Sequence, residues 1–275
     1  MCARIRGTYE AADVQFYRVP EVRAFWKNSA AAAARLRSGR LLVTLDFDGT
    51  LAALAKTPGK ARLKPQFRSA LKTLAGQRGV YVFILSGREL RNVRRLVGLK
   101  SLYYGGNHGI EIQGPGFYWR DAAAARRPMQ KLAAELRERF PEGTGVLVED
   151  KVFSVGIHYR HIRPRYRVGF LGCMRALAAS PGKMRLIRGR RMFEALPSGT
   201  SHKGTAAGRL AKELGVSLAL AVGDDLTDED MFRALKPGGI TIRVGRAASA
   251  ARYYLARQAE VLRLLRFISA AREDK

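Results

Sequence analysis

Residues 41–51 read Leu-Leu-Val-Thr-Leu-Asp-Phe-Asp-Gly-Thr-Leu. Leu41 to Asp46 is a short apolar run ending in an acid, the signature of a strand buried on both faces. Two carboxylates, Asp46 and Asp48, stand one residue apart at its C-terminal end, where open α/β sheets bind ligands. Gly49 lets the chain leave strand geometry there, so both acids can reach one site. Two such carboxylates repel unless a cation holds them, which predicts a bound metal.

On the C-terminal side, residues 65–76 read as a helix with Pro65 in its first turn. Val80–Leu85 follows as a strand, Arg88–Val97 as a helix and Leu102–Tyr104 as a strand. The alternation resumes after residue 200. Lys203–Leu214 is helical and closes at Gly215, Leu218–Val222 is a strand, Asp228–Leu235 a helix, Ile240–Val244 a strand, and Ala247–Ile268 a long last helix. Strands alternating with helices predict an α/β fold with a parallel sheet covered on both faces. On the N-terminal side, residues 1–40 form an extension holding an amphipathic helix over 21–37. The middle differs: helices at 126–139 and 165–179 are each followed by a pair of strands, at 145–149 and 152–159, then at 184–188 and 191–196. That repeated helix–strand–strand unit predicts a small α+β insertion over 113–197, splitting the main layer into 41–112 and 198–275.

A second acidic cluster, Gly223-Asp224-Asp225-Leu226-Thr227-Asp228-Glu229, follows the strand at 218–222. Helix capping by Thr227 or Asp228 would use part of it but leaves Asp224 and Asp225 unexplained. Oxygen ligands from two loops suit Mg2+, which keeps waters and a substrate phosphate in its shell. Between the clusters, Ser86-Gly87-Arg88 puts a hydroxyl and backbone N–H groups at a helix start, ready for an anion. Lys203-Gly204 opens the helix before the second cluster.

These four stations, in this order, resemble the motifs of the haloacid dehalogenase superfamily, and within it the trehalose-6-phosphate phosphatase family. The narrower resemblance rests on Gly106-Asn107-His108-Gly109-Ile110-Glu111, on Val148-Glu149-Asp150-Lys151 leading to His158-Tyr159-Arg160, and on Glu194 ahead of Lys203. It runs from about residue 40 to 268. The resemblance implies a Rossmannoid core with a smaller cap, and hydrolysis of a sugar phosphate through an aspartyl-phosphate. By it Asp46 is the nucleophile and Asp48 the general acid and base. Mg2+ would sit on Asp46, the Asp48 carbonyl and Asp224, with Asp225 or Asp228 in or near its shell. Ser86, Gly87 and Lys203 would hold phosphate, while Arg88 would do the same or anchor its loop. His108, Glu149, Asp150, Lys151, Arg160, Arg190 and Glu194 would meet the sugar. A rival reading keeps the chemistry and changes the sugar, to sucrose, mannosylglycerate or a hexose phosphate. The chain departs from the family at Leu196-Pro197, where an Arg-Pro is usual. His158 and His161 lack the partners of a zinc site and read as structural or cap-facing.

Composition narrows the classes. The chain has 275 residues, 47% of them hydrophobic, enough for a real core. No apolar stretch reaches the length of a membrane span and nothing reads as a signal peptide. Cys2 and Cys173 are no disulfide framework, so a cytosolic protein is expected. Its 50 Lys+Arg against 23 Asp+Glu give a formal charge of +27. That is the kind of footprint a nucleic-acid binder leaves. Yet the arginines are scattered, and neither a zinc-finger spacing nor an RNP-like motif accompanies them. A solvated basic surface and an anionic small substrate account for it better. The expected partners are a sugar phosphate and, in the same pathway, a trehalose-6-phosphate synthase.

Overall fold

The computed structural model describes residues 22–37, 39–54, 58–123, 125–179, 184–189 and 191–273. In chain order the elements begin with β1 (Arg23–Ala24), α1 (Ser29–Leu36), β2 (Leu41–Leu45), α2 (Pro65–Ala75), β3 (Val80–Leu85), α3 (Leu90–Val97), β4 (Tyr103–Gly106), β5 (Glu111–Gly114) and β6 (Phe117–Arg120). Next come α4 (Arg126–Arg139), β7 (Leu147–Asp150), β8 (Val155–His158), α5 (Arg167–Ala178), β9 (Met184–Gly189) and β10 (Met192–Pro197). The chain closes with α6 (Lys203–Glu213), β11 (Leu218–Gly223), α7 (Glu229–Leu235), β12 (Ile240–Val244), β13 (Tyr253–Leu255) and α8 (Glu260–Glu273).

Nine strands form one sheet in the order β1-β13-β12-β11-β2-β3-β4-β5-β6, parallel from β1 to β4 and antiparallel at β5 and β6. Alternation along each strand sorts side chains between two apolar layers. Leu41, Val43 and Leu45, with Val82, Ile84, Leu220, Val222, Ile240 and Ile242, pack in the layer shared with α1, α2, α3 and α8. Leu42, Phe83, Leu85 and Ala221 face α6 and α7, where Ala206 and Ala207 let a helix lie close. β2 is buried along its whole length, as a central parallel strand must be.

Two expected helices are shorter than the sequence pattern suggests. In place of a helix over 21–37, Arg23-Ala24 pairs parallel with Tyr253-Tyr254, a 3-10 turn covers Phe25–Asn28, and only Ser29–Leu36 is α-helical. The cause is long-range: Phe25 is fully buried, edge-on to Trp26, Tyr253 and Phe267, and Trp26 Nε1 donates to Glu260 at 3.0 Å. Instead of one helix over 247–268, β13 extends the sheet and α8 starts at Glu260. The buried Glu229 carboxylate fixes the preceding turn by accepting from Ser249 Oγ (2.7 Å), the Ala250 N–H (2.6 Å) and Arg243 (2.9 Å).

A second, four-stranded antiparallel sheet has the order β7-β8-β10-β9. Val148, Val155, Ile157, Phe193, Ala195 and Leu186 turn one face toward Met129, Leu132, Leu136 of α4 and Phe170, Met174 of α5. The expected insertion start at 113 needs correction. Hairpin β5–β6 lengthens the large sheet, with Gly114 lying so near the Tyr103 ring that a Cβ there would sit 2.2 Å from it, and the smaller unit starts with α4. The chain crosses between the two units twice. The crossings are clipped together where Asp121 Oδ2 accepts from the Ser201 N–H (2.7 Å) and hydroxyl (2.6 Å).

Candidate active site

All four sequence stations lie on the C-terminal side of neighbouring parallel strands. The Asp46 N–H still donates to Val222 O at 2.9 Å, extending the β2–β11 pairing by one residue and setting the loops after these strands side by side. The chain then turns sharply, with Phe47 O accepting from Leu51 N (3.0 Å) and Ala52 N (2.8 Å). Gly49 makes the turn with φ +92°, and a Cβ on it would stand 2.1 Å from Asp224 Oδ2. The residue must therefore be glycine for the two acidic loops to meet.

Lys203, the first residue of α6, joins them. Its ammonium, 3% exposed, donates to Asp46 Oδ1 at 2.6 Å and Asp228 Oδ1 at 2.7 Å. Burial alone would lower the lysine pKa, but the charges of Asp228 and Asp46 hold it above its ordinary value. Burial also pushes the Asp46 carboxyl well above the usual carboxylate range, against the pull of Lys203. Asp224 is pushed up to about 7, by burial first and then by the charge of Asp228; Thr50 Oγ1 donates to it at 3.2 Å. One lysine does not balance this set, so the site favours a further cation.

Asp46, Asp224 and Asp228 place one carboxylate oxygen each within 4.8 Å of one another, a hard, all-oxygen donor set that fits Mg2+. Of the two further acids, Asp228 lies in this cluster and Asp225 does not. Asp225 is exposed and caps the 3-10 turn through the Leu226 N–H at 2.7 Å. Asp228 Oδ2 accepts from the Asp224 and Asp225 N–H groups (2.9 and 3.0 Å), making it the strut of the loop as well as a member of the cluster.

Ser86 is buried, and its backbone N–H bonds Gly105 O at 3.0 Å. Arg88, one of the expected phosphate contacts, has its guanidinium forked on Asp48, Nε to Oδ2 at 2.6 Å and Nη2 to Oδ1 at 2.7 Å. Of its two readings the loop anchor is the one this geometry supports. His108 follows Asn107 in a turn where both residues and Gly109 have positive φ, and its ring lies on Gly87, where any Cβ would come within 2.6 Å of it.

The smaller sheet turns its second, polar face toward this site. Antiparallel register sets Glu149 beside Gly156, Gly156 beside Glu194 and Glu194 beside Ile187, with Arg185 opposite Leu196. Lys151 reaches across, its Nζ donating to Glu194 Oε2 at 3.0 Å and to Gly87 O at 3.2 Å. Glu194 is buried, with Ser154 Oγ at 2.7 Å and His108 Nε2 at 2.9 Å. Burial would raise its carboxyl, but Lys151 and His108 hold it well below the carboxylate range. Glu149 pairs with His158 at 3.1 Å, and that hydrogen bond lowers its pKa.

Two expected sugar contacts, Asp150 and Arg160, stand apart from this cluster. Asp150 is exposed and bonds the Val152 N–H at 2.8 Å in its own turn. Arg160 is exposed in the turn after β8. Arg190 lies outside the described residues.

A cavity of about 210 Å³ opens between the two units, lined by Lys203, His108, His202 and Asp230 below and Arg185 and Ile187 above. Sequence reading missed Arg185. Its Nη2 is buried with no hydrogen-bond partner among the described residues, and His108 Nδ1 is in the same state. Such orphaned polar atoms await a partner that a ligand can supply. In a chain with 50 Lys+Arg no local signal distinguishes this arginine, and only strand register finds it.

Residues 44–259 match the trehalose-phosphatase family. Trehalose-phosphate phosphatase of Mycobacterium ulcerans is 37% identical over 235 residues, covering 81% of this chain and 60% of that protein. The Mycobacterium tuberculosis protein of the same name is 37% identical over 210 residues, 74% of this chain and 53% of its own. The chain thus spans little more than half the length of these relatives. The Candida albicans trehalose-6-phosphate phosphatase C-terminal domain superposes with a TM-score of 0.79 at 23% identity, covering 91% of this chain and 99% of that one, which speaks to the fold. An Aspergillus fumigatus trehalose-6-phosphate phosphatase gives 0.65 at 27% identity, over 91% and 100%. With its family match running from β2 to just short of α8 and taking in every loop that builds the site, the chain belongs to the trehalose-phosphatase family.

Proposed function

We propose that this chain is a Mg2+-dependent phosphatase that converts trehalose 6-phosphate to trehalose and inorganic phosphate. The observation that carries the reading is the buried Asp46 carboxylate beside Asp224, held at 2.6 Å by Lys203, which itself lines a cavity roofed by a polar sheet. Asp46 attacks phosphorus in line as the bond to the sugar oxygen breaks, and Asp48 gives that oxygen its proton. Asp48 then takes a proton from water, which attacks the aspartyl-phosphate, releases phosphate and restores Asp46. Ser86 and Lys203 bind the phosphoryl oxygens, and Arg88 fixes where the Asp48 carboxylate stands. Asp46, Asp224 and the Asp48 backbone carbonyl would hold magnesium, with Asp228 beside them. When bound, the ion supplies the positive charge that lets an anionic ester approach a carboxylate.

The smaller unit acts as a cap over the sugar. Carboxylates set among cations suit vicinal hydroxyls, which donate and accept, so Glu149, Lys151 and Glu194 meet the glucose ring remote from phosphate. Arg185, with its unpaired Nη2, reaches the same substrate. We place the enzyme in the cytosol, downstream of a glycosyl transfer that makes trehalose 6-phosphate. The test is phosphate release from trehalose 6-phosphate with Mg2+ and with EDTA, run beside sucrose, mannosylglycerate and hexose phosphates. Metal-dependent release, fastest from trehalose 6-phosphate, is expected. A faster rate on another sugar phosphate would transfer the assignment to that sugar, and full activity in chelator would overturn the metal.

A further inference from the structure

A cavity of about 600 Å³ contains neither Asp46 nor Lys203. It lies beside the junction of the two units, between the start of α3, the β5–β6 hairpin, the start of α4 and the turn after β7. Arg91 and Arg94 enter it from α3, Arg120 from the end of β6 and Arg126 from the first residue of α4. Glu89 and Glu111 share the lining, with Glu111 opposite Arg120 across β5–β6, yet among the described residues none of these four guanidiniums makes a close ion pair. What they touch orients them without neutralising them. Arg94 bonds the Gln113 side chain and lies 6.0 Å from the Tyr104 ring centre, and Arg120 lies 5.6 Å from that of Phe153. Burial pushes the Glu111 carboxyl up, against the pull of Arg120 and Arg91.

Four guanidiniums against two carboxylates leave the cavity with an excess of positive charge, and an anion among the arginines relieves their repulsion. Guanidinium forks match phosphate oxygens two at a time. The volume falls within the range of small-molecule sites and exceeds what a single phosphate fills. At the rim the Tyr118 side chain, 59% exposed, offers an aromatic face. We propose that this cavity binds a small oligophosphate, a molecule with two or more linked phosphate groups, whose organic part rests on Tyr118. The ligand would touch both units at once. It would also bear on Val152 and Phe153, the residues following Lys151, whose ammonium bonds Gly87 O and Glu194. Occupancy therefore changes the rate of the phosphatase. The binding claim is independent of the proposed function, and only this rate effect rests on it.

The test titrates the whole chain by calorimetry in EDTA with pyrophosphate, ATP and orthophosphate, at low and high salt. Pyrophosphate and ATP should bind one equivalent, and orthophosphate more weakly by about tenfold or more. The exposed pairs Arg91→Gln/Arg94→Gln and Arg120→Gln/Arg126→Gln should each weaken binding by about tenfold while the thermal midpoint stays put. With Mg2+ present, either ligand should change p-nitrophenyl phosphate turnover in the wild type and leave it unchanged in both double variants. Undiminished binding in the variants would put the anion at Lys203 instead and overturn the proposal. So would absence of binding, or a single-stranded oligonucleotide that binds tighter through the same arginines. Binding intact with trehalose 6-phosphate untouched would remove the proposed substrate and leave this site standing.

Discussion

Removing the ammonium of Lys203 would leave Asp46 and Asp228 without the cation both of them touch, 2.6 and 2.7 Å away. Because that lysine also holds Asp228, Asp46 can be altered while the strut of the loop survives. Asp46→Asn should keep the fold, by circular dichroism, and lose more than about a hundredfold in turnover, roughly 3 kcal/mol of barrier. A smaller loss would take Asp46 out of the nucleophile's role. Arg185→Ala tests the orphaned guanidinium: KM for trehalose 6-phosphate should rise about tenfold with kcat little changed, the mark of lost uniform binding. p-Nitrophenyl phosphate kinetics should stay the same, whereas equal losses on both substrates would make Arg185 a support of the sheet.

At the scale of elements, the cap sheet separates two kinds of carboxylate. Glu194→Ala strands the buried Lys151 and should cost about 3–5 kcal/mol, seen as a lower thermal midpoint that Glu194→Gln recovers in part. Glu149 is half-buried and its pairing with His158 is at the margin, so Glu149→Ala should leave the midpoint nearly unchanged and cut kcat/KM on the sugar phosphate alone. Loss on the generic ester as well would deny it a sugar contact. Phe25 belongs to the same scale: Phe25→Ala empties the aromatic cluster under β13 and α8 and should cost about 3–5 kcal/mol in urea unfolding. That cluster also shows why the ends of the chain were misread. Phe25 and Trp26 fit a helical stripe locally, and their partners Tyr253 and Phe267 lie more than two hundred positions away. The acidic loops, by contrast, were legible because a buried strand, a glycine and its acids are contiguous. Choosing between Asp225 and Asp228 was not, since the 3-10 turn decides which carboxylate folds back.

For the whole molecule, burying the acids of the site makes stability depend on pH and on metal. Asp224 titrates near 7 folded and near 3.8 unfolded, so the folded state holds the extra proton between those values. Stability of the metal-free chain should therefore fall as pH rises from about 4 to 7. Mg2+ competes with that proton, so the rise in thermal midpoint on adding it should be larger at pH 8 than at pH 6, followed by calorimetry. A metal effect independent of pH would mean that the ion binds elsewhere. The two units meet this chemistry through a narrow connection, the paired crossings tied by Asp121 and Ser201. Two chain segments fastened side by side hold the upper sheet more tightly than two independent tethers would. Lys151 on Gly87 O and Glu194 on His108 add further ties between the units.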